Sequence, residues 1–550
     1  MTPRRASQPR SRQARNATPA RARPRTGGPG TSRPLARRPR GKLLANRLIL
    51  AVLVVLALGG LYGLAGLSRP MALAARQTAA SLGALPVTSA LVACPGPGTA
   101  GLIGGNIAEA SAPAGTGSGQ VTLTELRPGG KTPGPVRVST SPQPGQLTIK
   151  SIPNAPALTK KLATLAIMAR GQVPTSVGRG GLIVSATGAN AQGLDVEQLN
   201  AAGQPTARCQ PPGSDFWFVG PGSTTTNTEL YLMNTDSVPA DADLSVLTET
   251  GPQLGAVDSG ITVPPHGMVV QDLSNLLHGA KAIALHVTTS TGRVVAAVRE
   301  TTSLKKPGIW LPAASEPATT QMLSGLPGTA GTRMLYITVP GNVAARAKVT
   351  AVTPRGSYQP TGGSAISLLP RQTEAVPIPS LSGSPGSIEI SANVPVTAEL
   401  EITGGPPGAP GAMIGGSGPV TGQGVVAASP AGAAGTTELV LSAPGRAASV
   451  RITQAIVGAA LTGQTGRVVQ IKAKSSVAVK ITLPKHSKAS VFALVITPQP
   501  GSGPVYAARL ADVGHVVQTV LPVVSSPTRI ELPYVRSSLV SALGDQSSSG

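Results

Sequence analysis

"PGNVAARAKV", Pro340 to Val349, reads as a turn feeding a strand, and the chain writes it three times. Its echoes are "NTDSVPADADLSV", Asn234 to Val246, and "APGRAASVRI", Ala443 to Ile452. Before each copy stands a strong apolar strand, "ELYLMN", "RMLYITV" or "TELVLS". Leu232 and Ile337 lie 105 residues apart, as do Leu244 and Val349. After each copy come a second turn and strand ("ITVPPHGMVVQDL", "ISLLPRQTEAVPI", "VQIKAKSSVAVKI") and a closing pair of strands read as a hairpin. Alternating apolar residues between Gly and Pro turns are half-buried strands. A unit of about 100 residues with six to eight of them points to an antiparallel β-sandwich. Propellers and solenoids repeat at about 20 to 50 residues, and no such period stands out. The expected fold is all-β, with tandem immunoglobulin-like antiparallel β-sandwich modules after a single N-terminal transmembrane helix.

Working outward gives the expected organisation. A basic, disordered cytoplasmic tail is expected at 1–47, a transmembrane signal anchor at 48–68 and a linker at 69–118. A divergent β module at 119–213 precedes repeats at 214–305, 306–403 and 436–535. A Gly/Pro-rich linker at 404–435 separates the last two repeats, and 536–550 is expected to be a disordered C-terminal tail. A helix is expected at Ala157 to Gly171, where Leu158, Leu162, Leu165 and Ile167 share a face. Each repeat is expected to open on a short apolar segment: "FWFVG" at Phe216, "GIWLP" at Gly308 and "AMIGG" at Ala412.

The net charge of +24 suggests nucleic acid until its distribution is considered. Residues 1–47 carry 13 Arg, Lys42 and no acid, so most of the charge belongs to one tail. The whole chain has two Trp, six Tyr and three Phe, too few for base-stacking platforms, which weighs against nucleic acid as a partner. The tail runs into "LILAVLVVLALGGLYGLAGL", Leu48 to Leu67, without a charge. Spanning a bilayer takes about 20 helical residues. Positive charge stays cytoplasmic, so the expected localisation is a single-pass plasma-membrane protein with its bulk outside. "ALA" at Ala72 to Ala74 would suit cleavage of a signal peptide, whereas the long basic region and long apolar run suit an uncleaved anchor.

On the outer side, Cys94 and Cys209 read as one disulfide, the alternative being two separate buried thiols. "GPGTAG", Gly96 to Gly101, matches a dinucleotide fingerprint, but Pro97 sits inside it and no helix follows; no cofactor is expected. His266, His278, His286, His486 and His515 are scattered, and no catalytic or metal-binding motif appears. Asp236, Asp241 and Asp243 could form a Ca²⁺ cluster, although Arg346 and Lys348, or Ser449 and Arg451, take the matching places elsewhere. Phe216, Trp217, Phe218 and Trp310 are either an aromatic contact surface for sugar rings or structural anchors between units. A hydrolase would need two carboxylates in one cleft, with Glu125, Asp195 and Glu197 as candidates.

The basic tail, the anchor, "VACPGPG", "CQPPGSDFWFVG" and the repeated N-x-x-x-x-P-A turns together resemble an actinobacterial family of membrane-anchored exported proteins of unknown function. The similarity runs from about residue 85 to 535. It implies a cell-envelope protein, with gene context hinting at surface-glycan assembly, and carries no catalytic residues. The expectation is a non-enzymatic envelope scaffold or interaction protein, with an envelope protein or glycan as partner. A carbohydrate-binding or glycan-assembly accessory role is the alternative, and an extracytoplasmic hydrolase a more distant one.

Overall fold

A computed structural model describes residues 84–95, 106–112, 118–128, 136–139, 148–151, 180–199, 205–222, 227–253, 260–301, 309–328, 331–363, 365–379, 381, 383–403, 412–432, 435–455, 466–483, 491–513 and 516–530, with Val55 and Leu56. The anchor, the basic tail and the helix expected at 157–171 lie outside them, apart from Val55 and Leu56, which are helical. Among the described residues no helix is long and apolar enough to cross a membrane. The chain divides into two units, Met1–Ser81 and Leu82–Gly550, and every described strand belongs to the second.

The repeated turn-and-strand motif is the step from one sheet of a sandwich to the other. Its strands are Ala240–Thr248, Ala345–Thr353 and Ala448–Ala455, each in one sheet, and each follows an apolar strand that lies in the opposite sheet. In Ala345–Thr353, Ala345, Ala347, Val349 and Ala351 are buried while Arg346 and Lys348 are exposed, the period-2 pattern of a strand with one wet face. A second turn recurs too. His266, Arg371 and Lys474 all have positive φ (45°, 55° and 55°), a costly conformation for non-glycine residues, at the same place before the fifth strand. Tertiary bonds hold two of them: His266 N–H donates to Asp236 O and Arg371 N–H to Gly341 O.

Numbering strands within a unit, one sheet has the order 1-6-3-4 and the facing sheet 5-2-7-8. The second sandwich begins at Asp215–Pro221 and ends at Ile309–Leu311; the third runs from Ala318–Leu326 to Ala412–Gly415, and the fourth from Gly424–Pro430 to Val516–Pro522. The region expected to be divergent has the same order, from Ser89–Pro95 to Pro205–Arg208, so it is a fourth copy. All pairings within sandwiches are antiparallel. The one parallel pairing among the described residues is a two-residue patch joining Gly267–Asp272 to Gly119–Pro128.

Three expectations change. The closing pair of strands is no hairpin: Ala282–Thr291 pairs in one sheet and Val295–Thr301 in the other, and in the third sandwich a single 18-residue strand, Gly386–Thr403, serves both. "GIWLP" and "AMIGG" close the preceding sandwich instead of opening the next, since Ile309–Leu311 pairs with Val295–Thr301 and Ala412–Gly415 with Gly386–Thr403. The stretches expected as linkers at 69–118 and 404–435 contain strands Ser89–Pro95, Asn106–Ser111, Ala412–Gly415 and Gly424–Pro430. Those strands are rich in Ala, Gly and Val because sheets pack on both of their faces; Gly424–Pro430 is buried at all seven positions.

The burial on both faces has a single cause: the four sandwiches close into a ring. The outer face of each 5-2-7-8 sheet packs on the 1-6-3-4 sheet of the preceding sandwich. Tyr231, Met233, Val295 and Ala297 meet Ala93, Leu126 and Ile183 of the first sandwich. Tyr336 of the third meets Trp217, Val219, Ala282 and Ala284 of the second. Val440, Ala508, Leu510 and Val520 of the fourth join the core of the third. The last contact returns to the start, where Ala108, Ala110 and Ala112 of the first sandwich pack on Val425, Ala427, Ala493 and Val495 of the fourth. A head-to-tail contact whose rotation closes produces a ring instead of a filament. Gly325 (φ 93°) shows how close the sheets come: a Cβ there would sit 2.6 Å from the Ala508 Cβ.

Candidate functional site

The eighth strands meet at the centre of the ring, where each touches the next: Pro205–Arg208, Ile309–Leu311, Ala412–Gly415 and Val516–Pro522. Just beyond each, a backbone bridge ties the chain to a first strand, pairing Ala93 with Gln210, Trp217 with Ala314, Leu323 with Gly416 and Gly424 with Ser525. One further closure reinforces the seam between first and last sandwiches, and a disulfide ties the first sandwich to itself. Leu85–Pro86 pairs with Arg529–Ile530, and Arg529 Nε donates to Ala84 O at 2.8 Å. Cys94 and Cys209 form a disulfide, Cα to Cα 4.4 Å, closing a loop of 115 residues inside the first sandwich.

Around this centre lies a cavity of about 770 Å³, lined by residues of all four sandwiches. Its wall is mostly apolar, with Leu91, Trp310, Leu311, Met413, Val520 and Leu521 among its residues.

One side of the wall is charged and belongs to the seam. Arg208 Nε lies 2.8 Å from Asp195 Oδ1, and Arg208 Nη1 donates to Pro522 O at 2.5 Å. Asp195 Oδ2 accepts the Ala427 N–H at 2.8 Å, and Glu197 Oε1 the Ala428 N–H at 3.1 Å. Arg509 Nη1 donates to Ala428 O at 2.6 Å, while its Nη2 lies 3.1 Å from Glu197 Oε2 in an ion pair too poorly aligned to be a hydrogen bond. Burial pushes the Glu197 carboxyl up to about 7 against the pull of Arg509, and burial lowers Arg509. Asp195 and Glu197, which sequence reasoning placed as hydrolase candidates, thus cap the N–H groups of an edge strand in the neighbouring sandwich. The Glu125 side chain lies outside the described residues.

The same device recurs between the second and third sandwiches. The Val219 N–H donates to Glu399 Oε1 at 3.0 Å, and burial holds the Glu399 carboxyl well above its usual range. Nearby, burial and then Glu401 push Glu300 up to about 8. The Tyr336 hydroxyl donates to Glu401 Oε2 at 2.9 Å.

The aromatic residues singled out in the sequence go to separate places. Trp217 is 6% exposed, packs in the contact with Tyr336 and stacks on His286 with ring centroids 3.8 Å apart. Phe218 is buried in the core of its own sandwich, and Phe216 packs half-buried at the edge of that core. Trp310 lines the cavity edge-on to Tyr231 at 5.2 Å, with the Arg299 guanidinium 5.8 Å from its ring. The acidic trio is also dispersed: Asp236 pairs with Arg293, Asp241 accepts from Thr262 and Thr291, and Asp243 accepts the Gly260 N–H. Among the described residues no three His, Cys, Asp or Glu side chains gather as a metal site. Sequence reasoning missed Arg208 and Arg509. Each lies in an apolar strand of a different sandwich, and only ring closure brings them together.

Fold and site define a closed four-sandwich ring around a central cavity. Residues 170–482 match the family of unknown function DUF5719, and the chain belongs to that family. No curated protein matches it.

Proposed function

We propose that the protein is a non-catalytic, membrane-anchored extracytoplasmic scaffold of the cell envelope, of the exported actinobacterial type that its sequence resembles. The observation that supports this reading is the closed ring. Four sandwiches locked head to tail, fastened where Leu85–Pro86 pairs with Arg529–Ile530, form a preorganised body. That body begins shortly after the apolar stretch Leu48 to Leu67, which serves as the anchor. The buried carboxylates at the seam, Asp195 and Glu197, are spent on holding sheets together, as is Glu399. What the ring offers a partner is its rim, including short edge strands such as Gly251–Gln253 and Gly356–Tyr358. Edge strands bind extended segments of other proteins through backbone pairing. The immunoglobulin-like description extends to the two-sheet sandwich and not to strand order, since the constant-type order is ABED facing CFG.

The test combines topology with partnership. Protease added outside intact cells should remove the ring while a tag at the N-terminus survives, and crosslinking at the surface should capture the ring on the same envelope protein in repeated experiments. A protected ring, or no reproducible partner, would refute the proposal. The carbohydrate-platform alternative rested on an exposed Trp217, and that residue is 6% exposed.

A further inference from the structure

The cavity at the ring centre is bounded by apolar side chains that their own sandwiches leave partly uncovered. Ile309 and Trp310 stay half-buried although their strand lies where the four sandwiches meet, and Met413 of the next sandwich joins them on the wall. Among the lining residues only Asp195, Arg208 and Arg509 are charged, and each is matched: Asp195 pairs with Arg208, and Arg509 with Glu197. The guanidinium nitrogens without a hydrogen bond, Arg208 Nη2 and Arg509 Nε, are sealed from solvent and so do not open on the cavity. The wall therefore offers hydrocarbon and no unmatched charge. An ion placed against it would give up hydration without a partner, whereas an apolar group gains by leaving water. A volume of about 770 Å³ lies within the roughly 300–1,000 Å³ of small-molecule pockets.

Apolar surface continues outward at the seam. Val524 lines the cavity and is 42% exposed. Leu85 and Ile530 are paired partners in the two-stranded closure, and they are 48% and 47% exposed. Further along the same two segments, Val87 and Pro527 line the cavity. Exposed apolar side chains are ordinary when scattered singly; gathered where an apolar cavity reaches the surface, they mark a ligand's way in.

We infer that the central cavity is a binding site for an uncharged lipid, whose hydrocarbon chain lies against Ile309, Trp310 and Met413 and whose head carries no charge. The ligand enters past Val524 at the seam. The site exists only in the closed ring, since its wall is drawn from all four sandwiches.

The chain carries two tryptophans, and Trp310 lines the cavity whereas Trp217 does not. The full chain, purified in a non-ionic detergent, is titrated with ω-bromododecanol, whose bromine quenches indole fluorescence on contact. The expected result is saturable quenching that is lost in Trp310→Phe and reversed by unbrominated dodecanol. The ω-bromododecyl sulfonate and trimethylammonium probes carry opposite charges on the same chain, and each should bind at least tenfold more weakly. Quenching that does not saturate, persists in Trp310→Phe, resists dodecanol, or is as strong with either charged probe would overturn the inference. Should Trp310→Phe lose its near-ultraviolet dichroism, dodecanol competition and the charged probes on the unmutated chain decide alone.

Discussion

Replacing Arg509 by Met removes the cation at the seam while keeping the length of the side chain. Arg509 is 1% exposed and Glu197 fully buried, so the variant strands a carboxylate beside the backbone of Ala428 with no opposing charge from its nearest partner. Breaking one side of a buried ion pair typically costs about 3 to 5 kcal/mol. The structure adds a pH dependence to that figure. Burial already raises the Glu197 carboxyl to about 7 with Arg509 present, and loss of Arg509 removes the main influence holding it down. A carboxyl whose folded pKa lies above its unfolded value binds an extra proton in the folded state, so its contribution to stability falls as pH rises through that window. At pH 6 the stranded Glu197 takes a proton and Arg509→Met should cost the lower end of the range; at pH 8.5 the cost should reach the upper end. Urea unfolding at the two pH values, followed by far-ultraviolet dichroism, reads the difference. Adding Glu197→Gln to Arg509→Met should recover part of the loss at pH 8.5. A cost under about 1 kcal/mol at both pH values, or strict additivity of the two substitutions, would refute the ion-pair account.

Further outcomes rest on the same packing. The unmodified ring should be less stable at pH 8.5 than at pH 5.5, because Glu300, raised to about 8, and Glu197 both lose their proton in the folded state over that interval; Glu300 alone would account for up to about 3 kcal/mol, read as a shift in urea midpoint. Trp217→Ala should cost about 3 to 5 kcal/mol in the same assay, since it removes the indole from both the Tyr336 contact and the His286 stack. Gly325→Ala should cost at least about 1 kcal/mol, given its positive φ and the Ala508 Cβ in its way, whereas Gly418→Ala, with open space around it, should be neutral in thermal melts. Reducing the Cys94–Cys209 bond should lower stability by about 2 to 5 kcal/mol, and an unchanged melting temperature under reductant would count against its structural role.

The sandwich was legible because its one-sided strands alternate: Arg346 and Lys348 point out while Ala347 and Val349 point in. The ring was not. Its contact strands are covered on both faces, so Gly424–Pro430 and Ala412–Gly415 have no polar face to produce alternation, and their small residues resemble a linker. The first sandwich read as divergent because its second strand, Asn106–Ser111, meets its neighbour through alanines instead of the bulkier side chains of "ELYLM" and "RMLYI". Chain order likewise assigned "GIWLP" to the unit it precedes, when hydrogen bonding gives it to the unit it follows. At the cavity, Asp195 and Glu197 were visible as a pair of carboxylates one residue apart. Their partner Arg509 lies more than 300 residues away, and no local pattern links it to them.

Ring closure is tested most directly by small-angle X-ray scattering of residues 82–550. The closed ring predicts the radius of gyration of one compact body, about 23 Å from chain-length scaling. A value about twice that, with the profile of a rod of separate sandwiches, would contradict it.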